Sequence, residues 1–189
     1  TDRMVSKIFN PDRAFDEGNR EQNDPTYDGG KPSDLSYRRA RLFALLQMTY
    51  VGAPMVYYGD EAGMWGSDDP NNRKPMLWKD LEPYDAPDQN RVDDEHLEFY
   101  RSAIALRRGH AALRIGGFQT LIADDSQNLW VFIRDDADEE VLVALNASES
   151  DARFDLPGEG WVPIFGEIDS HRNEGQVPAV AGRVWARKK

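Results

Sequence analysis

The sequence contains no cysteine among its 189 residues. Disulfide bonds and thiolate metal sites are therefore excluded within it. The compartment stays open between cytoplasmic and periplasmic or secreted, because many secreted bacterial proteins also lack cysteine. The three histidines, His96, His110 and His171, are scattered, and none pairs with another at metal-ligand spacing. We therefore predict neither a metal site nor a cofactor.

Long apolar runs and an excess of positive charge are also missing. No stretch approaches the roughly 20 apolar residues of a membrane span. The net charge is −11, and the basic residues 187–189 form only a short tail, whereas nucleic-acid binding requires a basic patch. We therefore expect no nucleic-acid partner and no membrane partner. With 40% hydrophobic residues the chain can form a core.

Residues 54–78 combine the side chains that a sugar-binding surface needs. Sugars present hydroxyl groups around the ring, which carboxylates and guanidinium groups bind, and apolar C–H faces, which exposed aromatic rings cover. Both kinds of side chain occur in the stretch: Tyr57, Tyr58, Asp60, Glu61, Trp65, Asp69, Arg73 and Trp78. The alternative is a polar loop with its aromatic rings packed beneath it, and composition leaves both open.

A short strand is predicted near the start of this stretch. Residues 55–58 are apolar and β-prone, with the length of a strand buried on both faces, and Gly59 ends the run. Polar groups just past the carboxyl end of such a strand lie where α/β folds bind their ligands. The pattern therefore predicts a ligand site directly after residue 58.

Two helices and a long loop are predicted around that strand. Residues 9–36 carry turn signals at short intervals and are predicted to form a loop. A helix follows from a cap among residues 33–36 to about Tyr50. A second helix begins at a cap at residue 93 or 94 and ends at Gly109.

After residue 117 the pattern changes to strands. The first three β-prone runs are joined by two acidic segments, residues 124–128 and 135–139, that are typical of hairpin turns, which predicts an antiparallel β-sandwich. The acidic cluster 135–140 lacks the ligand spacing of a calcium loop, so we interpret it as a solvated turn. The predicted strands cover residues 118–123, 129–134, 141–146, 152–156, 161–165 and 182–186.

Three short motifs follow one another within residues 54–78. Tyr-Tyr-Gly-Asp-Glu spans residues 57–61, Asp-Pro-x-x-Arg spans 69–73, and Pro-Met-x-Trp spans 75–78. In order and spacing they resemble the α-amylase family of glycoside hydrolases, and within it the neopullulanase, cyclomaltodextrinase and maltogenic amylase group. Residues 104–108 and 112–114 are similar to the family's final barrel helix and its exit into a β domain.

The resemblance implies the fold class and the domains. It implies α/β followed by all-β, with the last βα segments of a (β/α)8 TIM barrel in residues 1–112 and a C-terminal antiparallel β-sandwich domain in 113–189. A complete barrel typically needs roughly 250 residues, so we expect a C-terminal part of a longer enzyme. Thr1-Asp2-Arg3 looks like the residues that follow a His-Asp pair in the family, which places the catalytic carboxylates upstream of residue 1.

The function that the resemblance implies is retaining hydrolysis of α-1,4-glucosidic bonds in starch-derived oligosaccharides, cyclodextrin or pullulan. The partner would be a malto-oligosaccharide or a related α-glucan. Without the upstream acids, the 189 residues alone are expected to be inactive. Two alternatives stay open, namely a transglycosylase that uses the same intermediate and a non-catalytic carbohydrate-binding or structural fragment.

Asp69 and Arg73 are the main candidates for substrate contact. They match the family pair that looks like a clamp on one glucose unit, because a carboxylate and a guanidinium can each make two hydrogen bonds to adjacent hydroxyls. The alternative is an internal ion pair that only staples the loop.

Five further residues complete the predicted site. Asp2 and Arg3 are placed near the cleft by position, and Trp65 either stacks on a sugar ring or packs in the core. Asp60 and Glu61 are interpreted as loop supports, because neighbours on a strand point to opposite faces and cannot form a retaining pair about 5 Å apart.

The predicted strand at residues 55–58 raises a packing problem. Such a strand normally has barrel strands on both sides, and neither neighbour occurs in this sequence, so its edges would be bare. Three alternatives stay open: association through this exposed barrel edge between copies, completion by another chain, or a poorly ordered helical half beside a β domain that stands alone.

Overall fold

The computed structural model describes residues 2–13, 24–83, 91–166 and 174–189. The helices are α1 (Met4–Phe9), α2 (Asp34–Thr49), α3 (Asp94–Gly109) and α4 (Ala111–Ile115), with single 3-10 turns at Asn71–Arg73 and Lys79–Leu81. The strands are β1 (Gly117–Asp124), β2 (Leu129–Asp135), β3 (Glu139–Asn146), β4 (Ala152–Asp155), β5 (Val162–Phe165), β6 (Glu174–Val177) and β7 (Ala181–Lys188). Within the described ranges, no helix has the length and apolar character needed to cross a membrane.

The chain divides into two compact units. The first unit comprises Thr1–Arg41 and Met55–Tyr100, and the second comprises Leu42–Pro54 and Arg101–Lys189. The predicted order of a helical part followed by antiparallel strands is confirmed. The predicted domain boundary between residues 112 and 113 stays a prediction. Residues 14–23 of the predicted loop lie outside the described residues.

Both long helices begin at side-chain caps that local sequence predicts. The Ser33 hydroxyl accepts a hydrogen bond from the backbone N–H of Ser36 at 3.2 Å, and the Asp93 carboxylate accepts one from the N–H of His96 at 3.0 Å. Each cap satisfies a donor that the first helical turn leaves without a partner. Local hydrogen bonding therefore sets the starts of α2 and α3.

The predicted strand at residues 55–58 is wrong for this chain. These residues pair with no other strand in the described parts, and all four side chains are exposed, with Met55 at 76%. A strand buried on both faces is stabilised by ladders to two neighbours. The described residues supply neither ladder, so a run of β-prone residues stays irregular.

The second unit is built on a five-stranded antiparallel sheet in the order β1-β2-β3-β7-β5, with β4 and β6 forming a second, two-stranded sheet. The β2–β3 ladder runs without interruption from Leu129 opposite Asn146 to Asp135 opposite Glu140. The predicted hairpin turns at residues 124–128 and 135–139 are confirmed, because each joins two paired strands. The sandwich core consists of Leu129, Val131, Ile133, Leu142, Ala144, Ala152, Val177 and Trp185.

One strand was missed from sequence. Strand β6 reads Glu-Gly-Gln-Val, and it pairs with β4 from Ala152 opposite Val177 to Asp155 opposite Glu174. Four residues with a central glycine carry little β propensity of their own. The pairing with β4 and the burial of Val177 in the sandwich core stabilise the strand instead.

Arg134 on β2 ties the helix ends of the second unit to its sheet. The residue is buried, and its guanidinium donates to the carbonyls of Thr49 at 2.8 Å, Leu113 at 3.0 Å and Gly116 at 3.0 Å. Its Nε donates to the Gly117 carbonyl at 2.9 Å. The last carbonyls of a helix lack intrahelical donors, so this one cation satisfies the ends of α2 and α4 together.

Candidate functional site

The loop after residue 58 is a sequence of tight turns. The backbone N–H of Asp60 donates to the Tyr57 carbonyl at 3.0 Å, and that of Met64 donates to the Gly59 carbonyl at 2.9 Å. Gly59 has a φ of +85°, and a Cβ built on it would lie 2.3 Å from the Met64 sulfur. The left-handed backbone therefore favours glycine here, and a larger residue would also have to displace the buried Met64 side chain.

Arg3 lies beneath this loop. Its side chain is fully buried, and Nη1 donates to the Tyr58 carbonyl at 2.8 Å and to Asp60 Oδ1 at 3.1 Å. The guanidinium carbon also lies 5.0 Å from the ring centroids of both Tyr57 and Tyr58, within cation–π range. Arg3 therefore contacts the loop backbone, its acid and its aromatic rings at once.

Asp60 is an acid with an altered ionisation. Burial raises the pKa of Asp60 to about 6, although the charge and hydrogen bond of Arg3 act to lower it, and the nearby Glu61 raises it further. The Asp60 side chain is 15% exposed, and its Oδ1 accepts a hydrogen bond from Arg3. This is the geometry expected of a residue that supports the loop.

Asp69 and Arg73 form a two-contact ion pair at the surface. Arg73 Nε lies 2.6 Å from Asp69 Oδ1, and Nη2 donates to Oδ2 at 2.7 Å. The 3-10 turn between them closes through the Arg73 N–H, which donates to the Pro70 carbonyl at 2.9 Å. The two side chains remain 42% and 61% exposed, respectively. The pair thus staples the loop and faces solvent at the same time.

Trp65 lies in the core of the first unit. It is 1% exposed and packs with Val5, Tyr37 and Ala40. Stacking of this indole on a sugar would require that packing to open. Asp2 is partly buried beside Arg3 in the chain.

Aromatic rings other than Trp65 are exposed in residues 54–78. Trp78 is 56% exposed, and Tyr57 and Tyr58 are also exposed. The Tyr58 hydroxyl donates to the Lys74 carbonyl at 2.9 Å, which fixes its ring near the 69–73 turn along the chain. Trp78 belongs to the Pro-Met-x-Trp motif at residues 75–78, but it was not predicted to contact substrate.

His96 is a buried group that sequence reasoning set aside. Its ring lies 5.5 Å from that of Tyr37 and 5.3 Å from that of Tyr100, centroid to centroid. Burial, followed by the charge of Arg41, lowers the pKa of His96 to about 4. A neutral imidazole therefore fills the space between two tyrosines, and it contacts the loop through the Asp60 backbone.

Similarity to known proteins connects this geometry with a family. No family model matches the chain. A neopullulanase from Thermoactinomyces vulgaris, "Neopullulanase 2", is 37% identical over 142 residues, which cover 72% of this chain and 23% of that protein. The chain belongs to the α-amylase family. A cyclomaltodextrinase from Geobacillus thermopakistaniensis is 39% identical over 120 residues, covering 64% of this chain and 19% of that relative.

A solved α-amylase-family structure shares the fold. The debranching enzyme of Nostoc punctiforme, soaked with acarbose, matches with a TM-score of 0.61 and 27% identity over 80% of this chain and 29% of that enzyme. The predicted fold class is thereby confirmed at the level of the family. The chain spans about a fifth of the length of the curated relatives it matches.

Proposed function

We propose that this chain is part of a glycoside hydrolase that cleaves α-1,4-glucosidic bonds in starch-derived oligosaccharides, cyclodextrin or pullulan with retention of configuration. The names of the relatives support the substrate class, and the acarbose-soaked neighbour supports a malto-oligosaccharide as the ligand. The observation that carries the proposal is the exposed Asp69–Arg73 pair, which brackets a 3-10 turn and is held in one geometry by two contacts.

The proposed role of the pair is to hold one glucose unit. The ion pair uses Nε and Nη2 of Arg73, so Nη1 is the nitrogen that remains to donate to a sugar hydroxyl. Asp69 Oδ1 is buried against Arg73, so Oδ2 is the oxygen that can accept from a neighbouring hydroxyl while the carboxylate keeps Arg73 in place. A ring fixed in this way would be presented to catalytic groups in a near-attack geometry.

The catalytic carboxylates are proposed to lie upstream of residue 1. A retaining mechanism needs two carboxyl groups about 5 Å apart on either side of the scissile bond. Asp60 is bound to Arg3 and Asp69 to Arg73, which supports a binding or supporting role for both acids. Because both acids are bound to arginines, the second candidate function for these 189 residues is a non-catalytic carbohydrate-binding or structural fragment.

Kinetics of the longer protein containing this chain test the proposal. We expect Arg73→Ala and Asp69→Asn to lower kcat/KM on maltotetraose by roughly 10²-fold, because the sugar is no longer oriented. Arg91→Ala, which replaces an exposed arginine in the same unit, is the matched control and should keep kcat/KM. The proposal is wrong if the Arg73 and Arg91 variants behave alike.

Product analysis tests the chemistry. Proton NMR of the first product should show the α-anomer, and a β-anomer would contradict retention. Accumulation of longer glucans rather than free maltose would identify a transglycosylase. The 189-residue chain alone should release no reducing sugar from cyclodextrin, pullulan or starch, and release would contradict the upstream placement of the acids.

A further inference from the structure

A cleft of about 480 Å³ lies within the second unit, away in sequence from the Asp69–Arg73 pair. It lies where the edge strand β5 meets β7 and the start of β3. The volume falls in the range that small-molecule sites occupy. None of the residues predicted for the substrate site lines it.

The floor of the cleft is apolar and open. Val162 on β5 stands directly opposite Ala186 on β7 in the ladder, and both line the cleft. Val162 is 60% exposed, which is unusual for a strand valine. Gly160 borders it, and a Cβ built there would meet no atom within 4 Å. The floor therefore offers an uncovered apolar surface to a ligand.

The wall of the cleft carries hydrogen-bonding groups that are held in place. His110 Nδ1 lies 2.9 Å from Glu139 Oε2, and Glu139 is only 8% exposed. Lys188 stands opposite Glu139 in the β3–β7 ladder and also lines the cleft. The buried Glu139 carboxylate, held by the imidazole, and the exposed Lys188 side chain therefore bring an acceptor and a donor to the same cleft.

Arg187 fixes the remaining wall. Its Nη1 donates to the Pro157 carbonyl at 3.0 Å, and its guanidinium lies 4.4 Å from the Trp161 ring. The Trp161 indole N–H donates to the same Pro157 carbonyl at 3.1 Å. These contacts hold the 157–160 turn, which contributes Glu159 to the cleft. Ordering this wall before binding lowers the entropy cost of taking up a ligand.

We propose that this cleft is a secondary binding site for a neutral, hydroxyl-rich ligand, a short segment of an α-glucan chain. Acids and bases line it in near balance, so the lining selects neither an anion nor a cation. Vicinal hydroxyls match the carboxylate and ammonium groups of the wall, and sugar C–H faces match the apolar floor. The hydroxyl-rich chemistry follows from the cleft, whereas the choice of an α-glucan rests on the proposed function.

Titration of the ¹⁵N-labelled 189-residue chain with maltotriose tests this site. The reporter is the indole N–H signal of Trp161, assigned by its loss in Trp161→Phe. We expect a saturable shift of this signal, and Val162→Glu should weaken the fitted affinity by about tenfold or more, because a carboxylate on the floor removes apolar contact and repels Glu139. Ile115→Glu, the same change at another exposed apolar residue of the second unit, should leave the affinity within about twofold.

The result that overturns the proposal is equally direct. Absence of a saturable shift, or equal affinities for the wild type and Val162→Glu, excludes the site. Arg73→Ala should leave the Trp161 titration unchanged. A loss of the titration in Arg73→Ala would assign the signal to the first site and overturn the second. Because each site has its own variant and its own readout, failure of the proposed hydrolase function and failure of this cleft are distinguishable.

Discussion

At the scale of single residues, the same kind of ion pair occurs in two very different surroundings. The Arg3–Asp60 pair has side chains that are 0% and 15% exposed, whereas the Arg73–Asp69 pair has side chains that are 61% and 42% exposed. Removing one partner of a buried pair leaves an uncompensated polar group, while removing a surface pair changes little because water solvates both ions. Only the first pair should contribute measurably to stability.

Replacement of Arg3 by methionine should therefore destabilise the chain. We expect Arg3→Met to lower the free energy of unfolding by about 2–4 kcal/mol, since the Tyr58 carbonyl and Asp60 both lose their donor. Arg73→Met is the matched control and should cost less than about 1 kcal/mol. Urea unfolding monitored by circular dichroism measures both, and equal losses would show that Arg3 is not a structural support.

Asp60 and His96 give stability opposite dependences on pH. Burial raises the pKa of Asp60 to about 6, so between pH 4 and 6 the folded state keeps a proton that the unfolded state has lost, and stability falls as pH rises. Burial lowers the pKa of His96 to about 4, so over the same window the unfolded state holds the extra proton, and stability rises with pH. The two contributions offset each other in the wild type.

The Asp60→Asn variant should reveal the histidine contribution. Without the carboxyl, the free energy of unfolding should rise more steeply with pH between 4.5 and 6, by up to about 1.4 kcal/mol per pH unit relative to the wild type. Urea midpoints measured every half unit of pH give the slope independently of the absolute loss of stability. The assignment fails if the two proteins show parallel pH profiles.

At the scale of secondary-structure elements, the end of α2 depends on two arginines from other parts of the second unit. Arg107 Nη1 donates to the Met48 carbonyl at 2.8 Å and to the Tyr50 carbonyl at 3.2 Å, and Arg134 donates to the Thr49 carbonyl. Cations at a helix C-terminus also interact favourably with the helix dipole. Side chains from elsewhere in the unit therefore satisfy the end of α2 at Thr49, and Gly52, with its φ of +99°, turns the chain three residues later.

Loss of Arg134 should loosen this arrangement. We expect Arg134→Met to destabilise the chain by about 3 kcal/mol or more, because four carbonyls lose a donor and three of them belong to helix ends or their exits. Arg153→Met, an exposed arginine on β4, should stay within about 0.5 kcal/mol of the wild type. Thermal unfolding of the three proteins provides the comparison, and similar melting temperatures would contradict the role of Arg134.

At the scale of the whole molecule, residues 55–58 form an exposed apolar row. Met55, Val56, Tyr57 and Tyr58 are all exposed, and they pair with no strand in the described residues. A contiguous row of exposed apolar side chains favours association with another chain. Association through the exposed barrel edge therefore stays a prediction, and residues 55–58 are the surface through which we expect it.

Light scattering tests that prediction. The 189-residue chain should show a molar mass above 21.5 kDa that rises with concentration, because copies cover the exposed residues of one another. Met55→Glu should shift the mass towards the monomer, since it places charge in the apolar row, whereas Ile115→Glu should not. A wild-type monomer at every concentration would rule the association out.

Elements whose cause is local followed from the sequence alone. Local residue types predict the caps of α2 and α3, among residues 33–36 and at residue 93 or 94, and the hairpins from β1 to β3, because each depends on neighbouring residues. The structure selects Ser33 and Asp93 as the caps. The motifs that resemble the α-amylase family are likewise short and contiguous. Sequence therefore determined the family, the change from a helical part to antiparallel strands, and the position of the candidate stretch at residues 54–78.

Features whose cause is distant in the chain were decided only by tertiary structure. Trp65 lies in a core, Arg3 supports the loop from 55 residues away, and β6 exists because β4 pairs with it. The strand predicted at residues 55–58 fails for the same reason, since β propensity alone cannot replace the ladders of two neighbouring strands. Side-chain identity sets what a residue can do, but burial and long-range partners decide which of its interactions form.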